Sequence, residues 1–491
     1  MSIPIPETLT GLVIDRFSPL YDQARLDYNT GLPPVFPKYI VYCYGVHDVQ
    51  NDVLWSRGHG LPIRARSGGH SYEGYSLVDG GVVIDISKIN QIDLDRSSGL
   101  VTIGAGAELL PIYQALWDRA RVTIPGGSCP AVGIAGLTLG GGFGLISRLH
   151  GLTCDALDSL TMVNANGDLI RAGATENEDL FWASCGGGGG NFGIVTSFTF
   201  KTFPVDKVTV FVVNWNWNDL RAVFKAFQVW ADPVELDRRV VPILKLTSET
   251  AGQVALVGEF VGPLDEMFAL LRPLIQAAPP ISVSLKYENY IDAVYFFGGV
   301  KPPTSTVEPL SGLLLPHPFA NKDHSKFKNT SAYQFDLFPD AAIDTMIYWL
   351  SHTAGAANLV QFDAYGGAIN DRSNHETAFP HRRGVRSSLQ YQAYWDHDEE
   401  APANIRWVEG FRRAMLPWAH AAYVNYIDRD VRDWPEAFYD ENLRRLLRVK
   451  REYDPQNVFN FPQGLGQLVR EMEAREAGEA GAPPRWPRRG R

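Results

Sequence analysis

Cysteine is scarce in this chain: Cys43, Cys129, Cys154 and Cys185 are the only four among 491 residues. They are widely spaced and form no CxxC pair, so neither a zinc site nor a disulfide framework is expected. Each reads as a buried thiol unless its surroundings say otherwise. Positive charge is also short. The net charge is −10 and no basic stripe crosses the body of the chain, which argues against nucleic acid as a partner. The one arginine-dense stretch, Arg485 to Arg491, falls in residues 466–491, a polar tail whose composition predicts disorder. No Gly-Lys-Ser/Thr follows a glycine cluster, which removes a P-loop. The first residues lack the basic start and apolar run of a secretory signal, so the chain reads as cytoplasmic. Residues 122–147 carry no charge, but two prolines and eight glycines make that run a poor helix. No membrane span is expected there.

Aromatics and glycine are plentiful, with 12 Trp, 20 Tyr, 25 Phe and 46 Gly. The aromatics serve either large cores or a roomy pocket for a planar cofactor or sugar rings. The length predicts two or three domains. Short β-type runs at Val82–Ile86, Leu100–Ile103, Ser159–Val163 and Ile194–Phe200 fill the first 200 residues. Within Glu108–Arg121, Leu109, Tyr113, Leu116 and Ala120 recur at helical spacing. From about 208 to 400 longer strand patterns (VTVFVVNW, QVALVGEF, ISVSLKY, LVQFDAY) alternate with helices such as Leu220–Trp230. These predict a largely antiparallel sheet covered by helices. A strand at Ala421–Ile427 and a helix near Glu441–Tyr453 follow. The fold class is α+β.

Four glycine clusters carry the chemistry: Ser67-Gly68-Gly69-His70-Ser71, Pro125-Gly126-Gly127-Ser128-Cys129, Gly140-Gly141-Gly142-Phe143-Gly144, and Gly186 to Gly190 running into Asn191-Phe192-Gly193. Consecutive backbone N–H groups freed of side chains can cradle a phosphate. Gly188, Gly190 and Gly193 satisfy G-x-G-x-x-G, yet strand-like IVTSFTF follows where the dinucleotide fingerprint needs a helix. A Rossmann fold is therefore not expected.

RARSGGHSYEGYS, PGGSCPAVGIAGLTLGGGFGLISRLHGL and GGGGGNFGIVTSF, in that order, resemble the FAD-binding domain of the vanillyl-alcohol-oxidase (p-cresol methylhydroxylase) superfamily. YVNYIDRD and LRRLLRVKREYDPQNVFNFPQGL resemble the end piece of its berberine bridge enzyme-like branch. The resemblance spans roughly residues 35–465. It implies a two-part FAD-binding domain of the p-cresol methylhydroxylase type over 1–205 and a substrate domain over 206–420. A berberine-bridge-like segment at 421–465 would return to the first domain. It further implies FAD bonded through its 8α-methyl group to His70 and through C6 to Cys129. Arg66, Ser67, Gly68, Gly69 and Ser71 would contact the pyrophosphate and ribityl chain, with Gly127, Ser128, Gly133 and Gly141 nearby and Val195 on the adenine side. One departure stands out: His150 occupies the place of a substrate-facing tyrosine in plant-like members. It reads as a substrate contact, a second acid/base or packing.

Oxidising an alcohol by hydride transfer needs a base for the hydroxyl proton. Tyr423 and Tyr426 are candidates, and on a strand they would face opposite sides. The resemblance selects Tyr426. Gln361 and Asp363 flank Phe362 and so share a strand face. In oligosaccharide-oxidase members such a pair meets a downstream glutamine and the same tyrosine at the sugar. The positions here are Gln361, Asp363, Gln392 and Tyr426, with Tyr72 beside the histidine; Gln390 or Tyr394 could stand in for Gln392. Asp363 would orient or activate Tyr426, and no metal is expected. The implied function is an oxidase acting on an alcohol or sugar, with molecular oxygen reduced to hydrogen peroxide. The alternative is a secondary-metabolite tailoring oxidase on the same bicovalent flavin scaffold.

Overall fold

Residues 6–301 and 326–476 are described by the computed structural model. Two small sheets carry the glycine loops. In the first, Tyr39–Tyr42, Val82–Asp85 and Ile63–Arg66 run parallel, with Leu12–Asp15 antiparallel at one edge. The second is antiparallel and five-stranded, in the order Ile92–Asp95, Leu100–Gly104, Ile194–Lys201, Leu157–Val163, Leu169–Gly173. Gly193 leads directly into the strand Ile194–Lys201, so the G-x-G-x-x-G run opens no helix. The helix Leu109–Ala120 buries Leu109, Ile112, Tyr113, Leu116 and Trp117, the face its periodicity marks.

The third large element is an eight-stranded antiparallel sheet. Its spatial order is Ser282–Asn289, Lys207–Asn216, Gln253–Phe260, Val240–Thr247, Leu359–Ala364, Ser387–Trp395, Lys326–Gln334, Ala419–His420. One face packs on the helices Leu220–Trp230, Leu264–Ala277, Asp340–Ser351 and Ala401–Met415, with Val240, Leu244, Leu246, Val360 and Phe362 in a shared core. Period-two alternation then turns Ile243, Lys245, Gln361 and Asp363 to the opposite face.

Two expectations need correction. Ala421–Ile427 is not a strand: Ala421 has φ +61° and Val424–Tyr426 is a 3₁₀ turn. Residues 466–476 are not disordered, because Leu465–Glu476 is a helix packed on Leu443–Tyr453. Arg485–Arg491 and the rest of 477–491 lie outside the described residues. The buried Lys450 ammonium holds the C-terminal segment down, donating to Asp454 and to the carbonyls of Asn191 and Phe459 at 2.6–2.7 Å. Among the described residues no helix is long and apolar enough to cross a membrane.

Candidate active site

A cavity of about 330 Å³ runs between the glycine loops and the free face of the large sheet. Ser67, Gly68, Gly69, His70, Ser71, Gly127, Ser128, Cys129, Gly133 and Val195 line it from one side. Tyr72, Gln361, Asp363, Gln390, Gln392, Tyr423 and Tyr426 line it on the other. The loops meet closely: a Cβ on Gly68 would lie 2.4 Å from the Gly133 nitrogen, so no side chain fits at their contact. Gly189 and Gly190 also line the cavity, and a Cβ there would meet nothing nearer than 3.6 Å. Their bare backbone faces open space, as a cradle for a phosphate-bearing cofactor requires.

His70 and Cys129 both reach this cavity. The His70 ring stacks on Tyr28 (centroids 4.3 Å apart) and donates to the Ala131 backbone. Burial lowers its pKa to about 4, so the imidazole is neutral and keeps a lone pair for bonding. Cys129 is half-buried, whereas Cys43, Cys154 and Cys185 are buried. Burial pushes the Cys129 thiol up to about 12, with the charge of Lys245 acting against it. A nucleophilic nitrogen, a free thiol and a bare-backbone cradle in one cavity fit FAD.

Three expected contacts are placed differently. Arg66 lines the cavity, but its guanidinium is held by Asp85 (2.6 Å), the Ala24 carbonyl (2.8 Å) and Asp27 (3.8 Å), so it braces the loop rather than offering a free phosphate contact. Gly141 is not a lining residue, and a Cβ there would run into the Phe379 ring at 2.8 Å. His150 is not one either; its ring stacks on Phe203 at 4.1 Å.

The sheet side is one hydrogen-bonded row. Lys245 pairs across strands with Gln361, and Gln361 with Gln390. Gln361 donates to Asp363 (2.8 Å), Gln392 to Gln390 (2.9 Å), Gln390 to the Tyr72 hydroxyl (2.6 Å), and Tyr394 to Gln392 (3.0 Å). Gln390 and Gln392 thus act together, and Tyr394 supports them. Asp363 is 2 % exposed, and burial raises its carboxyl to about 7 despite the Gln361 bond and the Lys245 charge.

The 3₁₀ turn puts both tyrosines at the cavity, so strand alternation does not separate them. Their hydrogen bonds do. The Tyr423 hydroxyl accepts from the Gly142 N–H (3.0 Å) and Asn425 (2.9 Å). The Tyr426 hydroxyl has no hydrogen bond among the described residues, and its ring stacks on Tyr72 at 5.5 Å, nearly parallel. Lys328 fixes this arrangement from behind. Its ammonium donates to Glu73 (2.8 Å), Asp428 (2.6 Å) and Asp430 (2.8 Å), tying the loop after His70 to the segment after Tyr426. Lys328→Met leaves the buried Asp428 carboxylate without its ion pair and Glu73 with Arg429 alone, at a cost of about 3–5 kcal/mol. A marked fall in the thermal unfolding midpoint is the expected result.

Sequence reasoning missed Lys245. It interrupts the apolar run VVPILKLT, and that break was the available signal. Among the described residues no group of His, Cys, Asp and Glu could hold a metal.

A family model described as "FAD binding domain" matches residues 37–173, and one described as "Berberine and berberine like" matches 422–466. An uncharacterized FAD-linked oxidoreductase of Bacillus subtilis, YgaK, is 37% identical, covering 94% of this chain and 98% of its own. Among solved structures, Physcomitrella patens BBE-like 1 superposes with TM-score 0.85 at 34% identity, over 93% of this chain and 97% of that one. A chitooligosaccharide oxidase superposes with TM-score 0.81 at 26% identity, again over 93% and 97%.

Proposed function

Because this chain belongs to the berberine bridge enzyme-like family of FAD-linked oxidoreductases, we propose that it oxidises an alcohol carbon of a sugar or sugar-bearing substrate, with oxygen as acceptor and hydrogen peroxide as by-product. The observation that carries this reading is the carboxamide row Gln361, Gln390 and Gln392, with Asp363 and Tyr426 in the same cavity. Amides both donate and accept in fixed geometry, which suits sugar hydroxyls that do the same. The chitooligosaccharide oxidase with this fold supports the sugar class.

When bound, FAD supplies the hydride acceptor at N5, which oxygen regenerates. We assign His70 and Cys129 as its covalent anchors. Ser67, Gly68, Gly69, Ser71, Gly127, Ser128, Gly133 and Val195 form its cradle. Tyr426 is the base, since its hydroxyl is unengaged while that of Tyr423 is occupied. Burial and the charge of Asp363 push the Tyr426 hydroxyl well above its ordinary value, so a standing tyrosinate beside an ionised Asp363 is unfavourable. A relay avoids it: Tyr426 takes the substrate proton while Asp363 receives the tyrosine's own. Asp363 must be ionised to accept, so activity is present above about pH 7 and lost as pH falls through that value. The kcat/KM profile of wild type should bend near pH 7, and Asp363→Asn should abolish that bend along with most activity.

A panel of mono- and oligosaccharides assayed for peroxide tests the function. A flavin-loaded protein that oxidises none of them would contradict the sugar reading. The tailoring-oxidase reading draws on the apolar lining residues Phe143, Leu145, Ile243 and Ile427, which suit an apolar aglycone. Glycosylated natural products in the same panel separate the two.

A further inference from the structure

We propose that Glu259 is a positioning residue for the cofactor: through one buried water it fixes the Gly127-Ser128-Cys129 turn, and so sets how readily Cys129 bonds to the flavin. The inference rests on the two-anchor reading above and deepens it.

Glu259 lies in the strand Gln253–Phe260, across from Val210 and Val241. Alternation puts it on the face of Val257, turned away from the helix-covered core. On that face Val210 and Val257 pack with Ile146, Tyr290 and Phe297 in an apolar cluster. A carboxyl in such a layer is costly unless something hydrogen-bonds it. Glu259 is 1 % exposed, and neither of its carboxyl oxygens has a hydrogen bond among the described residues. The charge it feels is that of Glu288, another carboxyl. Burial therefore pushes Glu259 well above the ordinary carboxylate range. It stands as a neutral acid, with an O–H to donate and a carbonyl oxygen to accept.

Glu259 lines a small cavity of about 20 Å³ together with Tyr113, Tyr290, Gly127 and Ser128. Gly127 and Ser128 also line the flavin cavity, so their turn is the wall between the two. That volume suits one water, which needs roughly two to four polar partners. Glu259 supplies one. The Ser128 hydroxyl, which makes no hydrogen bond among the described residues, supplies another. The Tyr113 hydroxyl donates to the Gly127 carbonyl (2.7 Å) and keeps a lone pair to accept. Tyr113 is also within electrostatic reach of both Glu259 and Cys129. The turn has little slack against it, because a Cβ on Gly126 would lie 2.4 Å from the Tyr113 hydroxyl. Anchoring joins Cys129 Sγ to flavin C6. The thiol proton and the C6 proton leave, and the electron pair passes through the flavin to oxygen as hydrogen peroxide. A misplacement of about 1 Å can slow such a step about a hundredfold. His70 stands on another loop and does not line the small cavity.

The test reads each flavin bond alone: the cysteinyl bond in a His70→Ala background and the histidyl bond in a Cys129→Ala background. Flavin-loaded protein is held in air from harvest, and the intact mass after denaturation follows the covalently bonded fraction with time. Glu259→Met should slow the cysteinyl bond by about ten- to a hundredfold and leave the histidyl bond unchanged. Its unfolding midpoint should hold or rise, since an apolar side chain suits the apolar cluster. Glu259→Gln keeps a neutral donor and acceptor and should restore most of the cysteinyl rate. A cysteinyl rate unchanged in Glu259→Met would overturn the proposal. So would Glu259→Gln proving as slow as Glu259→Met, or Glu259→Met slowing both bonds alike with a lowered midpoint, which marks a general loss of structure. His70→Ala protein that bonds no flavin at all would sink the two-anchor reading itself, and this proposal with it.

Discussion

Replacing Tyr426 by Phe should cut turnover by about 10²–10⁴-fold while leaving flavin content and the unfolding midpoint close to wild type. The variant removes one hydroxyl that makes no hydrogen bond among the described residues, so no buried partner is orphaned. The ring and its stacking on Tyr72 remain. What disappears is the group able to take the substrate proton as the C–H bond breaks. Tyr423→Phe should behave in the opposite way. It strips the acceptor from the Gly142 N–H and from Asn425 inside a buried layer, costing about 1–3 kcal/mol of stability. Its turnover should fall far less. Comparable losses of turnover in the two variants would refute the assignment of Tyr426 as base.

The second large effect concerns the anchors. His70→Ala and Cys129→Ala should each keep flavin that survives denaturation, held through the remaining bond, and the double variant should keep none. Each lost bond also returns electron density to the isoalloxazine, making it a weaker oxidant, so turnover should slow in both single variants. The two sites differ in how they hold their reactive atom. His70 is kept neutral by burial and is oriented by Tyr28 and the Ala131 backbone. Cys129 keeps a largely protonated thiol, with Lys245 favouring its ionised form. Lys245→Gln should therefore slow formation of the cysteinyl bond but not the histidyl one.

Much of this site is legible in the sequence because local pattern and tertiary outcome agree there. Gln361 and Asp363 share a face since LVQFDA alternates with period two and Phe362 is taken into the helix-covered core. The strand after Gly193 follows from IVTSFTF in the same way. The pattern fails where tertiary contacts override it. Ala421–Ile427 has strand composition, but Tyr423 bonds to Gly142 and Asn425 to the Leu137 carbonyl. These bonds draw the chain onto the glycine loops and bend it into a turn. His150 and Gly141 follow motif positions faithfully, yet Phe203 and Phe379 occupy the space beside them. Lys245 is hidden for another reason. A lysine in an alternating strand reads as solvent-facing, and only the loops folded over that face bury it.

The most direct test of the account is the intact mass of the denatured protein, read for wild type, both single anchor variants and the double variant. The account predicts an FAD-sized increment in the first three and none in the fourth. A wild type that releases all its flavin on denaturation, or a single variant that loses it entirely, would contradict the two-anchor site.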